Sequence, residues 1–160
     1  MRILVAGIGN VFLGDDGFGV EVVRRLNADP LGEAVDVVDF GIRGVHLAFE
    51  LADDRYDAAV LVDAVSKGGR PGTLYVIDPD DDGHDCQPAV PDAHSLTPDA
   101  VLSWIRQVGG KRPRLVIVGC EPLTTDESME LSAPVEESVE LATHVVRALV
   151  SEMRTVASCV

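Results

Sequence analysis

Three short stretches of this chain contain no polar side chain, and they constrain its fold more than any other feature. They are Ile3-Leu4-Val5-Ala6, Ala58-Ala59-Val60-Leu61-Val62 and Leu115-Val116-Ile117-Val118. A strand with one wet face alternates polar and apolar residues, whereas a strand apolar at every position is covered on both faces. Such strands belong to parallel sheets sandwiched between helices, and the intervening sequence supplies the helices. Val20, Val23 and Leu26 recur at three-residue steps within residues 17–27, and Val45, Leu47, Ala48 and Leu51 mark a short helix over residues 44–52. Thr97-Pro98 pairs an N-cap residue with proline at the first helical position and opens a helix to about Val108. The last helix starts near Pro134 and carries Val135, Val139, Ala142, Val146, Leu149 and Met153 on one face. Residues 34–40 and 73–77 read as two further strands, and the polar, proline-bearing stretch 78–94 as a loop. Aromatic residues make up only 4% of the chain, so the core must be aliphatic. The pattern predicts an α/β fold: a single three-layer domain over residues 1–154, with a twisted, mostly parallel sheet of about five strands and helices on both faces, and a frayed tail at 155–160.

In open α/β sheets ligands bind beyond the carboxyl ends of the strands. Several polar residues stand there: Asn10, Asp15 and Asp16 after the first strand, Asp39 at the end of the second, Asp63 after the third and Glu121 after the fifth. Asp63 is the sharpest case, because a poor strand former directly follows a wholly apolar strand. It either caps the following turn, with Ser66 or a backbone N–H as partner, or serves a site. Asp15 and Asp16 precede a helix, where one carboxylate suffices as a cap, leaving the other to face the cleft. Of four histidines, His46 and His144 fall within predicted helices and His84 in the acidic loop, while His94 sits in the loop leading to Thr97. Two carboxylates and an imidazole form a hard-to-borderline donor set that suits nickel, zinc, manganese or iron with positions left open.

A net charge of −14 repels phosphate backbones and anionic lipid, so neither nucleic acid nor a membrane is expected as a partner. The N-terminal apolar run is too short for a signal peptide, and no run approaches the ~20 apolar residues of a membrane span. Cys86, Cys120 and Cys159 are widely spaced and odd in number, which fits a reducing compartment and a cytoplasmic protein. Cys120 lies near the expected cleft, but no motif ties a histidine to it as a nucleophile requires. Two motifs mislead. Gly7-x-Gly9 imitates a dinucleotide fingerprint, yet Phe12 stands where the third glycine belongs, and Asp15 and Asp16 would repel a pyrophosphate. Asp78-x-Asp80-x-Asp82-Gly83 imitates a calcium loop, but Ala89 occupies the position of its bidentate glutamate.

Taken in order, a set of short motifs resembles the hydrogenase maturation proteases, endopeptidases that trim the C-terminus of the large subunit of nickel–iron hydrogenases. The set comprises Gly7-Ile8-Gly9-Asn10, Asp15-Asp16-Gly17-x-Gly19, Asp39-x-Gly41 with Gly44, Val62-Asp63-Ala64, Pro71-Gly72-Thr73, His94-Ser95-Leu96, Gly119-x-Glu121-Pro122 and Leu131-Ser132-x-x-Val135. It spans roughly residues 3–150, and the ordered series is specific where each motif alone is weak. The resemblance implies that Asp16, Asp63 and His94 form one metal site and carry the catalysis. It further implies that the metal is nickel already loaded in the precursor of a hydrogenase large subunit, with other divalent ions able to occupy the same donors. The implied enzyme is a cytoplasmic monomer whose cut rests on a metal-polarised carbonyl or metal-activated water. A non-catalytic nickel chaperone using the same triad is the alternative. Two departures are Asp16, where some relatives carry the longer glutamate, and Ile42, where many carry threonine.

Overall fold

The computed structural model describes residues 1–79 and 113–158. Its five strands are β1 (Ile3–Ile8), β2 (Val35–Gly41), β3 (Ala58–Ala64), β4 (Leu74–Ile77) and β5 (Arg114–Cys120), in spatial order β2-β1-β3-β5-β4. The first four neighbours in that order run parallel, and only β4 is antiparallel, pairing Leu74 with Cys120 at the sheet edge. The helices are α1 (Phe18–Ala28), α2 (Gly44–Ala52) and α3 (Ala133–Ser158), with a 3-10 turn over Gly14–Gly17 before α1. The loop and helix expected over residues 78–108 fall almost wholly outside the described residues. Among the described residues no helix is long and apolar enough to cross a membrane.

Alternation along the apolar strands divides the core into two layers, which is why no position could be polar. Ile3, Val5, Val60, Val62, Val116 and Val118 face α1 and α3. Leu4, Ala6, Ile8, Leu61, Leu115 and Ile117 face the opposite way, toward Leu47, Ala48 and Leu51 of α2. Helices thus cover both faces, as the sequence predicted. The periodicity of α1 differs in phase from expectation: Phe18, Val22, Val23 and Leu26 are buried, whereas Val20 is only partly so. Phe18, in the first turn of the helix, is fully buried and sets its rotation.

The chain leaves β1 through α1 to reach β2 on one side, then returns through α2 to β3 on the other side of β1. The direction of winding therefore reverses between β1 and β3, and at such a switch point the two outgoing loops part and leave a crevice. Close packing draws α1 over this crevice. A Cβ on Gly19 would lie 2.1 Å from the Val62 carbonyl oxygen and 2.4 Å from that of Ile8. Only a residue without a side chain lets the helix start rest on the ends of both strands. The β1–β2 register also slips between Gly7 and Ile8, a bulge at the same rim.

Candidate active site

Asp16 and Asp63 meet at this switch point. Asp63 lies within the last turn of the β3 ladder, in register with Gly119 of β5, and Asp16 hangs from the 3-10 turn that follows β1. The turn between them depends on Gly9, whose φ of +130° is a backbone conformation that L side chains rarely adopt. A Cβ there would sit 1.8 Å from the Asp16 carbonyl oxygen and 3.7 Å from Asp63 Oδ1. Asn10 completes the turn. Its side-chain Oδ1 accepts the Phe12 N–H at 3.0 Å, and its own N–H donates to Asp16 Oδ2 at 2.7 Å. Of the glycine pair that imitated a nucleotide fingerprint, Gly9 therefore serves to bring two carboxylates together, while Gly7 makes room for α1, where a Cβ would lie 2.4 Å from the Gly19 carbonyl oxygen.

Asp63 is only 3% exposed, and its Oδ1 accepts the Ala64 N–H at 2.8 Å. Burial, then the negative charge of Asp16, pushes its carboxyl well above the usual value of 3.8, against the small opposing effect of the Ala64 bond. The turn-cap reading of Asp63 thus accounts for one oxygen. Each of the two carboxylates has one oxygen held by a backbone N–H and another with no donor among the described residues. Two like charges in a crevice, one of them buried, are relieved by a shared proton or a cation. The donor chemistry fits a divalent ion.

The remaining acidic residues of this edge have other duties. Asp15 is fully buried and accepts four hydrogen bonds from the segment after β5: Leu123 N–H at 2.8 Å, Thr124 N–H at 3.1 Å, Ser132 N–H at 2.6 Å and Ser132 O–H at 2.8 Å. Burial raises its pKa, but the bonds from Ser132, Thr124 and Leu123 outweigh it and hold the carboxyl below the usual range. Neither Asp15 nor Asp16 caps a helix through its side chain, contrary to the local expectation, because nearby amides of the loop and turn claim both. Glu121 likewise accepts the Lys67 and Gly68 N–H groups and the Tyr75 hydroxyl, at 2.8, 3.1 and 2.8 Å, and its pKa is lowered chiefly by the Lys67 bond. Asp39 is exposed on β2. Cys120 is buried, and burial pushes its thiol up to about 11, which makes it a poor nucleophile at neutral pH.

His94 lies outside the described residues, as does most of the calcium-like acidic segment. Among the described residues no group of three His, Cys, Asp or Glu side chains converges on one point. His144 pairs with Glu140 at 3.5 Å on α3, and His46 is exposed on α2, so neither joins the crevice. Sequence reasoning placed Asp15 and Glu121 at the right edge but missed their bonding. The motif Leu131-Ser132 was the available signal, since Ser132 is the residue that grips Asp15 twice.

A family model described as hydrogenase maturation protease matches residues 20–148 of the chain. The hydrogenase 2 maturation protease of Escherichia coli is 32% identical over 158 residues, which is 95% of this chain and 92% of that protein. Among solved structures, a hydrogenase maturating endopeptidase from E. coli superposes with a TM-score of 0.77 at 31% identity, covering 96% of this chain and 94% of the other. A hydrogenase 2 maturation peptidase from a Thaumarchaeota archaeon gives a TM-score of 0.70 at 32% identity, with 94% and 99% covered.

Proposed function

The chain belongs to the hydrogenase maturation protease family and is a hydrogenase maturation endopeptidase, and from that premise we propose that it reads nickel in its substrate. The substrate in this reading is the precursor of a nickel–iron hydrogenase large subunit, from which a C-terminal peptide is removed in the cytoplasm by a monomeric enzyme. Asp16, Asp63 and His94 would ligate the nickel that the precursor carries, and would hold it beside the scissile bond. The observation that carries the reading is the carboxylate pair itself: Asp16 Oδ2 is held by Asn10 N–H and Asp63 Oδ1 by Ala64 N–H, and the other oxygen of each has no donor among the described residues.

The chain's own contribution is placement. Backbone N–H groups fix the two carboxylates before substrate arrives, so little ordering remains for the docking step. Burial of Asp63 keeps water from screening that carboxylate, which strengthens its attraction for a cation. Asp16, Asp63 and His94 would hold the nickel, which would supply Lewis-acid polarisation of a carbonyl or a water. Three ligands and open positions suit a metal that remains coordinated by its own protein.

The test is the intact mass of a hydrogenase large-subunit precursor incubated with the purified chain, with and without prior nickel loading. Loaded precursor should shorten by a single peptide and unloaded precursor should not. Equal cleavage of both would refute the nickel reading, and Asp63→Asn or His94→Ala should leave loaded precursor intact.

A further inference from the structure

The crevice is flanked by large apolar side chains held out in solvent. Phe12 is 62% exposed, Met129 76% and Leu123 57% on one wall, and Ile42 63% on the other. Single exposed apolar residues are ordinary, but several on the loops around one site mark an interaction surface. Phe12 and Met129 also stand on segments stitched to each other. Leu13 and Ser128 form a parallel bridge, Gly14 N–H donates to the Ser128 carbonyl at 2.8 Å, and Ser128 N–H donates to the Phe12 carbonyl at 3.0 Å. The Asp15 clamp ties the same two segments together from below. These side chains therefore sit on a braced ridge and are exposed because the backbone holds them out.

The ridge is charged as well as apolar. Residues 10–17 and 121–132 contain no lysine or arginine, and Asp126, Glu127 and Glu130 are exposed beside Met129. Arg24 and Arg25 of α1 line the same surface as Met129 and Glu130 but are paired with Glu21 and Glu136, so the ridge stays acidic. The ridge is continuous with the site, since Phe12 N–H is bound by Asn10, whose own N–H holds Asp16. An occupant that meets both features brings apolar side chains together with lysine or arginine.

We propose that Phe12, Met129 and Leu123 form a docking ridge that binds an apolar, lysine- or arginine-bearing segment of the substrate precursor next to the bond to be cut. The proposal rests on the reading of the crevice as the cleavage site. The ridge supplies affinity and orientation, and the carboxylate pair supplies the chemistry, so the two separate kinetically. Exposed apolar anchors that become buried in a complex dominate binding out of proportion to their number.

The experiment measures kcat and KM on nickel-loaded large-subunit precursor for the wild-type chain, the double variant Phe12→Ser/Met129→Ser, the conservative Phe12→Leu and Asp63→Asn. A pull-down of the same precursor by each chain gives binding without turnover. The double variant should raise KM roughly 10- to 100-fold with kcat unchanged and weaken the pull-down, while Phe12→Leu stays near wild type. Binding to wild type should also weaken as salt rises. An unchanged KM, or a fall in kcat alone, would overturn the ridge. Retained cleavage by Asp63→Asn would instead overturn the reading of the crevice, and the pull-down would still report on the ridge. Because both substituted side chains are exposed, thermal unfolding of the double variant should match wild type within about 2 °C.

Discussion

Replacing Asp15 by asparagine changes one atom in a buried carboxylate and removes its charge, and the consequence can be worked out bond by bond. Asp15 Oδ2 accepts Leu123 N–H, Thr124 N–H and Ser132 O–H, while Oδ1 accepts Ser132 N–H. If the new amide oxygen takes the Oδ2 position, three bonds survive as neutral ones and the NH2 group confronts the Ser132 N–H. The opposite orientation is worse, because two backbone N–H groups then meet a donor. Losing charge assistance on three bonds costs about 2 kcal/mol, and stranding one backbone donor about 1–3 kcal/mol. Loop 121–132 is partly exposed, so some relaxation and water entry offset this, and a net loss of about 3 kcal/mol is expected.

At 2–4 °C per kcal/mol for a chain of this length, the melting temperature should fall by roughly 6–12 °C. Asp16→Asn is the internal control. Asp16 is partly exposed, accepts a single backbone N–H among the described residues and faces the like charge of Asp63, so its replacement should move the melting temperature by about 2 °C or less. Thermal unfolding followed by circular dichroism, checked by urea titration, reads both. A melting temperature for Asp15→Asn within about 2 °C of wild type, or an equal loss for Asp16→Asn, would refute the division of labour between these neighbouring residues.

Acid should destabilise the fold through the same clamp. The folded pKa of Asp15 lies below its ordinary value of 3.8, so its contribution is complete above that value and lost as pH falls through the lower folded one. Wild type should therefore lose stability below about pH 4 more steeply than Asp15→Asn, as pH-dependent melting would show. Gly9→Ala forces a side chain into a φ of +130° and onto the Asp16 carbonyl, and should cost about 3 kcal/mol or more and abolish precursor processing. Cys120→Ala, which removes a thiol titrating near 11, should leave cleavage of nickel-loaded precursor intact by mass spectrometry.

The layers of this fold were legible because burial on both faces writes itself into local sequence. The runs in β1, β3 and β5 have no polar residue since each side chain enters one of two cores. The phase of α1 was harder: Val20 shares the helical spacing of Val23 and Leu26, and only the packing of Phe18 decides which face turns inward. The site was half legible. Asp63 drew attention because a carboxylate after an apolar strand must end up solvated, paired or ligating. That Asp15 and Asp16 divide their work was legible, but the clamp that Asp15 makes was not, because its partners are far away in sequence. Asp16 binds a residue six positions away, whereas Asp15 binds residues 108 to 117 positions away. Capping preference is a local rule, and here tertiary contacts displaced it. Glu121 repeats the lesson, standing at the sheet edge as expected yet spent on the loop that joins β3 to β4.

The carboxylate pair carries a cost that can be measured without any substrate. Burial and the neighbouring Asp16 charge raise the folded pKa of Asp63 above its unfolded value of 3.8, so the folded chain binds more protons than the unfolded chain between those two values. Stability must then fall as pH rises through that window, and the full penalty persists above it. Asparagine at this position keeps an oxygen for the Ala64 N–H and removes the charge. Asp63→Asn should therefore match wild type near pH 4 and become more stable than wild type toward pH 7, as pH-dependent melting would show. The same variant should fail to process nickel-loaded precursor. A variant less stable than wild type at neutral pH would mean that Asp63 is a structural group like Asp15. A variant both more stable and inactive would mean that the fold tolerates an unfavourable charge at its switch point because the substrate supplies the cation that offsets it.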